Sequence, residues 1–358
     1  MNGAIKMKIV LTGGGTAGHV VPNLALIPGL QTAGFEISYI GGRDGMEKGL
    51  VEAEKIPYYG ISSGKLRRYL SLKNLTDAAR VIKGMADARK VLKKIKPDVV
   101  FSKGGFVTVP VVFAAKSLKI PVVIHESDIT IGLANKLAMP HAKKICCVFL
   151  ETMAGLPTNK AVHTGTPLRQ QIFGGSVAKA TQMCNFAKDL PIIMVMGGSS
   201  GSVAINTILR QTLPQLADFN IIHICGKGNA DKSLESGKYR QFEYVSVGMG
   251  DLYATSQLVV SRAGSNSLAE LLALHKPNIL IPLPKHASRG DQILNAKSFE
   301  KQGFSVVLDE DELTPDKLAE AIKDTHNRRS HFKGIMSNIN NGDGTEEIIK
   351  IIKSVINQ

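Results

Sequence analysis

Three stretches of this chain hold residues whose types and spacing could do chemistry. Gly13-Gly14-Gly15-Thr16-Ala17-Gly18-His19 and Gly197-Gly198-Ser199-Ser200-Gly201 each follow an apolar run and lead into a helical pattern. Glycine between a parallel strand and a helix lets the backbone turn sharply and approach a ligand, and the helix start offers amides to an anion. Both turns therefore read as phosphate-friendly. His19, at a helix start beside such a loop, is placed to meet a substrate, with a satisfied packing histidine as the plain alternative. The third stretch, Ser261-Arg262-Ala263-Gly264-Ser265-Asn266-Ser267-Leu268-Ala269-Glu270, again joins an apolar run to a helix. Ser265 is the expected N-cap, and the Glu270 carboxylate, in the early turns, could accept both ribose hydroxyls of a nucleotide.

Other polar groups fall at strand tips. His125-Glu126-Ser127-Asp128 ends the run VVI and supplies acid–base candidates; as neighbours on a strand, His125 and Glu126 point to opposite faces, so at most one is expected to face a substrate. The loop Ala287-Ser288-Arg289-Gly290-Asp291-Gln292, with Asn295 next, could read sugar hydroxyls. Gly13, Gly15 and Gly18 satisfy G-x-G-x-x-G, but the acid that a dinucleotide site needs near the second strand tip is missing, because FEISYIGGR ends in Gly41, Gly42 and Arg43. Asp309-Glu310-Asp311 has the letters of a metal site, yet it stands just before Thr314-Pro315, where acids and proline mark a helix start. No metal and no cofactor is expected.

The elements that must position these groups repeat. IKMKIVLT, FEISYIG, DVVFSKGG, IPVVIHES and KKICCVF precede residue 150, and PIIMVMGG, NIIHICGKG, LVVSRAGS, PNILIPLP and FSVVLDED follow it, each with a loop and a helix candidate behind it. Strands apolar on both faces and alternating with helices imply parallel, doubly wound sheets, so the fold class is α/β with two similar domains. The boundary is expected within residues 163–175, giving domains 1–168 and 169–344, with a helical tail over 345–358 packing back on the first. A chain of 358 residues suits two domains. With 44% apolar and 21% charged residues it is neither disordered nor fibrous.

No stretch is apolar for long enough to span a bilayer, and the N-terminal run reads as a strand instead of a signal-peptide core, so a cytoplasmic or membrane-surface protein is expected. Cys146, Cys147, Cys184 and Cys225 lack metal-ligand spacing and read as buried reduced thiols. The formal net charge is +14, and residues 65–96 alone hold 11 basic side chains against Asp77 and Asp87, interleaved with leucines, Ile82 and Met85. A segment of this kind could lie on an anionic membrane surface or be a solvated helix face; nucleic acid is a weaker option, since no binding signature accompanies it.

In order, GGGTAGH, SKGGF, HESD, GTPLR, MGGSSGS, SRAGSNSLAE and the SRGDQ loop resemble the MurG family of peptidoglycan glycosyltransferases over nearly the whole chain. The resemblance implies a GT-B fold: two Rossmann-like domains and an interdomain cleft, the donor mainly on the second and the lipid acceptor at the first. It implies an inverting transfer of N-acetylglucosamine from UDP-N-acetylglucosamine (UDP-GlcNAc) to the C4 hydroxyl of the muramyl sugar of lipid I, undecaprenyl-pyrophosphoryl-MurNAc-pentapeptide. The product is lipid II, made by a peripheral enzyme on the cytoplasmic face of the cell membrane.

Carried over by position, Thr16, Ala17 and Gly18 lie near the donor diphosphate and acceptor, with Arg169 and Ser199 among the donor contacts. Asn206 is a further landmark, and Ser246 flanks uracil through its backbone. Ser265, Asn266, Ser267, Leu268, Ala269 and Glu270 bind the nucleotide, and Asp291 and Gln292 contact the sugar. His19 is the favoured base, with Glu126 and Asp128 as rivals. Ala17 replaces a usual Gly, Asp128 a usual Asn and Phe106 a common Tyr, and the loop 284–292 is longer than in some members. Asp128 is expected to meet sugar or acceptor hydroxyls, because a carboxylate beside a diphosphate is repelled unless protonated or paired. A diacylglycerol glycosyltransferase or a UDP-GlcNAc epimerase is the nearest alternative, and a dinucleotide oxidoreductase or a non-catalytic basic binder comes from another class.

Overall fold

A computed structural model describes residues 6–64, 73–198, 201–245, 247–339 and 343–357, with side chains for all of these except 73–78. The chain divides into two compact units: Met1–Arg169 with Asp343–Gln358, and Gln170–Gly342.

The first unit is built on seven strands: β1 (Met7–Thr12), β2 (Phe35–Gly42), β3 (Tyr58–Ile61), β4 (Val99–Ser102), β5 (Val122–Glu126), β6 (Lys144–Cys147) and β7 (Ala161–His163). All pair in parallel, in the order β3-β2-β1-β4-β5-β6-β7. The central strands are buried on both faces, which is why their sequences run apolar instead of alternating. Successive residues go to opposite layers. Ile9, Leu11, Phe101 and Val123 pack under the helix Ala17–Thr32, while Val10, Val100, Val122 and Ile124 pack under the helix Thr108–Ser117 and the buried stripe Ala88 and Leu92 of the helix Lys73–Ile95.

The first layer is completed from far along the sequence. Ile348, Ile351, Ile352 and Val355, spaced to share one helix face, bring the helix Thr345–Ile356 onto it. Asp343 anchors that return: its Oδ1 accepts from the Leu168 and Thr345 amides at 3.1 and 2.9 Å.

The second unit repeats the plan with β8 (Ile192–Met196), β9 (Asn220–Ile224), β10 (Tyr239–Phe242), β11 (Leu258–Ser261), β12 (Asn278–Leu280) and β13 (Ser305–Val307), parallel in the order β10-β9-β8-β11-β12-β13. Each unit is thus a doubly wound, Rossmann-like sheet. In each, strand order reverses beside the first strand, between β1 and β4 and between β8 and β11, and ligands of open α/β sheets bind beyond the carboxyl ends of strands at that reversal. The sequence reading missed β3, β7 and β10, which lie at or next to sheet edges and carry half-buried residues in place of a two-faced apolar run. The four cysteines are buried and free.

Candidate functional site

At the reversal of the first unit, the loops after β1 and β4 meet. Gly105 has φ +91°, and a Cβ there would fall 2.2 Å from the Gly14 carbonyl oxygen, so only glycine permits the approach. The loop after β1 is gripped from below: Asn23 Nδ2 donates to the Thr12 carbonyl at 3.1 Å and the Tyr39 hydroxyl to the Gly13 carbonyl at 2.8 Å. Thr16 is the N-cap of the helix Ala17–Thr32, but its hydroxyl lies 3.1 Å from His19 Nδ1 instead of capping. His19 Nδ1 is also 3.1 Å from the Gly14 carbonyl. A carbonyl only accepts, so that contact requires the proton on Nδ1 and makes Nε2 the basic nitrogen of the ring. Gly15, Thr16 and Gly18 are exposed, and Ala17 and His19 are half-buried.

Two amides of the turn expected to be phosphate-friendly are partnered from within the unit. The Gly14 amide faces the Gly104 carbonyl and the Gly15 amide faces Glu47 Oε2, each at 3.4 Å. Glu47 is 1% exposed and its Oε1 accepts from the Gly42 amide at 2.8 Å. A carboxylate beneath the loop disfavours an anion above it.

Glu126 and Asp128 lie in the turn after β5. Both Glu126 oxygens are occupied by the turn: Oε1 takes the Ser127 and Asp128 amides at 2.9 and 3.2 Å, and Oε2 takes the Gly132 amide and Asn135 Nδ2, both at 2.9 Å. Burial pushes its carboxyl above the usual range while these donors pull it back. Glu126 thus shapes the loop, and the expectation of a rival base there gives way to a scaffold role. His125 is fully buried, its Nε2 at 2.9 Å from the Gly165 carbonyl, and desolvation holds it well below its ordinary pKa. Neither neighbour therefore faces outward. Asp128 is half-buried beside them.

In the second unit, the turn after β8 also depends on glycine: a Cβ at Gly201, φ +77°, would lie 2.2 Å from the Cys225 carbonyl oxygen. Ser202 is the N-cap of the helix Val203–Thr212, its hydroxyl accepting from the Ile205 amide at 3.3 Å. Arg262, one residue beyond β11, binds three loops together. Its guanidinium donates to Ser202 Oγ at 2.6 Å and to the Ile281 and Pro282 carbonyls at 3.1 and 3.2 Å, and pairs with Glu310. Asp309 caps the Asp311 amide at 3.0 Å, so that acidic run has structural work. Among the described residues no cluster of three or more His, Cys, Asp or Glu is placed to hold a metal.

The helix Ser265–Ala273 starts at this reversal. Its N-cap is Gly264, not Ser265, which is the first helical residue. Helix geometry leaves the Ser265 and Ser267 amides without an i−4 carbonyl, and Ser265, Asn266 and Ser267 are half-buried. Leu268 and Ala269 depart from the expected contact set: they are 1% and 6% exposed, and the Leu268 amide is bonded to the Gly264 carbonyl at 3.0 Å. Glu270 is 9% exposed, with its Oε2 accepting from the Tyr253 hydroxyl at 3.0 Å.

Asn206 is likewise corrected. It is 2% exposed, its Nδ2 donates to the Cys225 carbonyl and its Oδ1 accepts from His223 Nε2, both at 2.9 Å, so it supports the sheet edge from within. Gln292 Oε1 accepts from the Leu283 amide at 3.1 Å, and Asp291, first residue of its helix, pairs with Arg289 at 2.7 Å. Arg169 is half-buried at the last position of the first unit's leading segment. Ser199 and Ser246 lie outside the described residues. Lys103, Arg262, Tyr253 and Glu47 were not singled out from sequence. The signal for the first two was a basic residue directly after a buried apolar strand, in SKGG and SRAG.

Two family models match: the glycosyltransferase family 28 N-terminal domain over residues 9–147 and the glycosyltransferase family 28 C-terminal domain over residues 192–351. A protein of Lachnospira eligens named UDP-N-acetylglucosamine--N-acetylmuramyl-(pentapeptide) pyrophosphoryl-undecaprenol N-acetylglucosamine transferase is 56% identical over 348 residues, covering 97% of this chain and 98% of its own. The protein of the same name from Clostridium perfringens is 53% identical over 350 residues, with the same coverage. Among solved structures, Acinetobacter baumannii MurG superposes with a TM-score of 0.78 at 25% identity, over 97% of this chain and 99% of that one.

Proposed function

This chain belongs to glycosyltransferase family 28, and we infer that it transfers N-acetylglucosamine from UDP-GlcNAc to undecaprenyl-pyrophosphoryl-N-acetylmuramyl-pentapeptide, making lipid II. The observation that carries this is 56% identity across 97% of the chain to a transferase so named. In this reading the second unit takes the donor and the first the acceptor. The second unit has the features of a donor site: two helix starts at one strand reversal, tied by Arg262, and a buried, anchored carboxylate at Glu270 for the ribose. Ser265, Asn266 and Ser267 meet the nucleotide, Gln292 and Asp291 the sugar, and Arg169 and the amides of the turn after β8 steady the departing diphosphate. Thr16, Ala17, Gly18 and Asp128 receive the acceptor.

Transfer is a direct displacement. The acceptor C4 oxygen forms a bond to the anomeric carbon as the bond from that carbon to the UDP phosphate oxygen breaks, inverting the centre. UDP leaves with the electron pair, and His19 Nε2 takes the hydroxyl proton. The Gly14 carbonyl supports this role by holding the ring in the tautomer that presents Nε2 as base. Amide donors aimed at charge that develops in the transition state supply electrostatic stabilisation. The test is transfer of labelled sugar from UDP-GlcNAc to a lipid I analogue, with and without chelator; no labelled lipid product refutes the assignment.

Among the described residues no helix is long and apolar enough to cross a membrane. Membrane contact runs instead through the segment 65–96. On its described part, Ala88 and Leu92 face the core, while Lys83, Lys90, Lys93, Lys94 and Ile82, 69% exposed, stand outward. A solvent-facing isoleucine amid lysines suits an anionic bilayer surface, where the acceptor's lipid is held.

A further inference from the structure

Lys103 follows β4 directly, and its amide donates to the Thr12 carbonyl at 2.9 Å, continuing the β1–β4 ladder. Its side chain is 2% exposed. The stem lies against the loop after β1, where a Cβ on Gly13 would come 3.3 Å from Lys103 Cβ, and the ammonium donates to Ser127 Oγ in the turn after β5. One lysine therefore touches all three loops of the acceptor side. Burying an ammonium is costly unless it is paired and hydrogen-bonded. Desolvation lowers its pKa to about 8, and the carboxylates that raise it are Glu126 and then Asp128. Glu126 already collects four donors from its own turn. Asp128 is the half-buried neighbour that occupies the outer end of that turn. The second unit uses the same device: Arg262 follows β11, the strand equivalent to β4, and clamps the loops of that side.

We propose that Lys103 is a positioning residue for the acceptor loops, its buried ammonium holding Ser127 and offsetting the Asp128 carboxylate so that a charged group can stand at position 128 beside an anionic acceptor. This rests on the acceptor reading given above. It predicts that Lys103 matters because position 128 is an aspartate. The test is a double-mutant cycle of K103M, D128N and K103M/D128N, read in two ways: by urea unfolding without substrate, and by kcat and KM for a lipid I analogue and for UDP-GlcNAc.

K103M should raise the lipid KM about tenfold or more while the UDP-GlcNAc KM stays within about twofold, and adding D128N should recover most of that loss, as coupled neighbours do. A K103M protein that fails to fold while K103M/D128N folds supports the pairing equally. Equal penalties for K103M in the wild-type and in the D128N background overturn it, as does failure of both K103M variants to fold. If the wild-type protein transfers no sugar, the function is wrong, and the urea cycle alone still decides whether Lys103 and Asp128 are coupled.

Discussion

Replacing Glu270 with glutamine keeps the side chain's shape and removes its charge, which isolates what that charge does for the nucleotide. The carboxylate is 9% exposed and is held by the Tyr253 hydroxyl at 3.0 Å, so it is pre-oriented and weakly screened. A hydrogen bond to a charged group is worth about 1.5–3 kcal/mol and one between neutral groups about 0.5–1.5 kcal/mol. The difference is about 1–1.5 kcal/mol for each ribose hydroxyl, or about 2–3 kcal/mol for two, which corresponds to a rise of about 30–150-fold in Kd for UDP. Calorimetric titration with UDP measures it, with a melting curve to show that the fold is intact. Tyr253→Phe should weaken UDP by about tenfold, because it removes one charge-assisted anchor without touching the carboxylate. A Glu270→Gln protein that binds UDP within about threefold of the wild type would refute the ribose assignment.

His19→Ala should lower kcat by about 10²–10⁴-fold with UDP affinity unchanged, since a positioned base contributes on that scale; near-normal turnover reassigns the base. Two buried histidines should make the fold acid-sensitive. Desolvation lowers His223 from 6.5 to about 3 and holds His125 well below 6.5. Their folded pKa values are depressed, so the unfolded chain takes up protons first as pH falls below 6.5. Each then removes about 1.4 kcal/mol of stability per pH unit until its folded pKa is reached, and neither contributes above about pH 7. Urea midpoints should fall from pH 6.5 to 5, and a flat profile contradicts this. Reversing Lys83, Lys90 and Lys93 to glutamate should weaken binding to anionic vesicles by at least about 1 kcal/mol per residue. Undiminished sedimentation with such vesicles would show that this face is only solvated.

The architecture was legible because parallel strands buried on both faces leave short, β-branched-rich apolar runs, bounded by glycine and alternating with helical patterns. The edge strands β3, β7 and β10 carry no such mark. Tyr58–Ile61 and Tyr239–Phe242 are short and only partly apolar, and each pairs on one side alone, with the strand that precedes it. In the sites, glycine loops and helix starts were readable from local spacing. What surrounds them was not: the Glu47 carboxylate under the first turn comes from another helix, and the burial of Leu268, Ala269 and Asn206 follows from packing. Asn206 shows the limit most clearly, because both ends of its carboxamide are used by His223 and Cys225, contacts of sequence separation 17 and 19.

The helix Thr345–Ile356 has a consequence for biosynthesis. It supplies Ile348, Ile351, Ile352 and Val355 to a layer whose other buried members precede residue 170, and Gly29 leaves room for Ile349, since a Cβ there would lie 2.7 Å from that side chain. From Arg169 to Ile356 is 356 − 169 = 187 residues, about 10–40 s of translation at typical rates. Throughout that interval the nascent first unit carries an open apolar groove, while the inserted second unit can already finish folding. A ribosome that stalls within that insertion leaves the groove uncovered, which marks the unfinished product for chaperones or proteolysis.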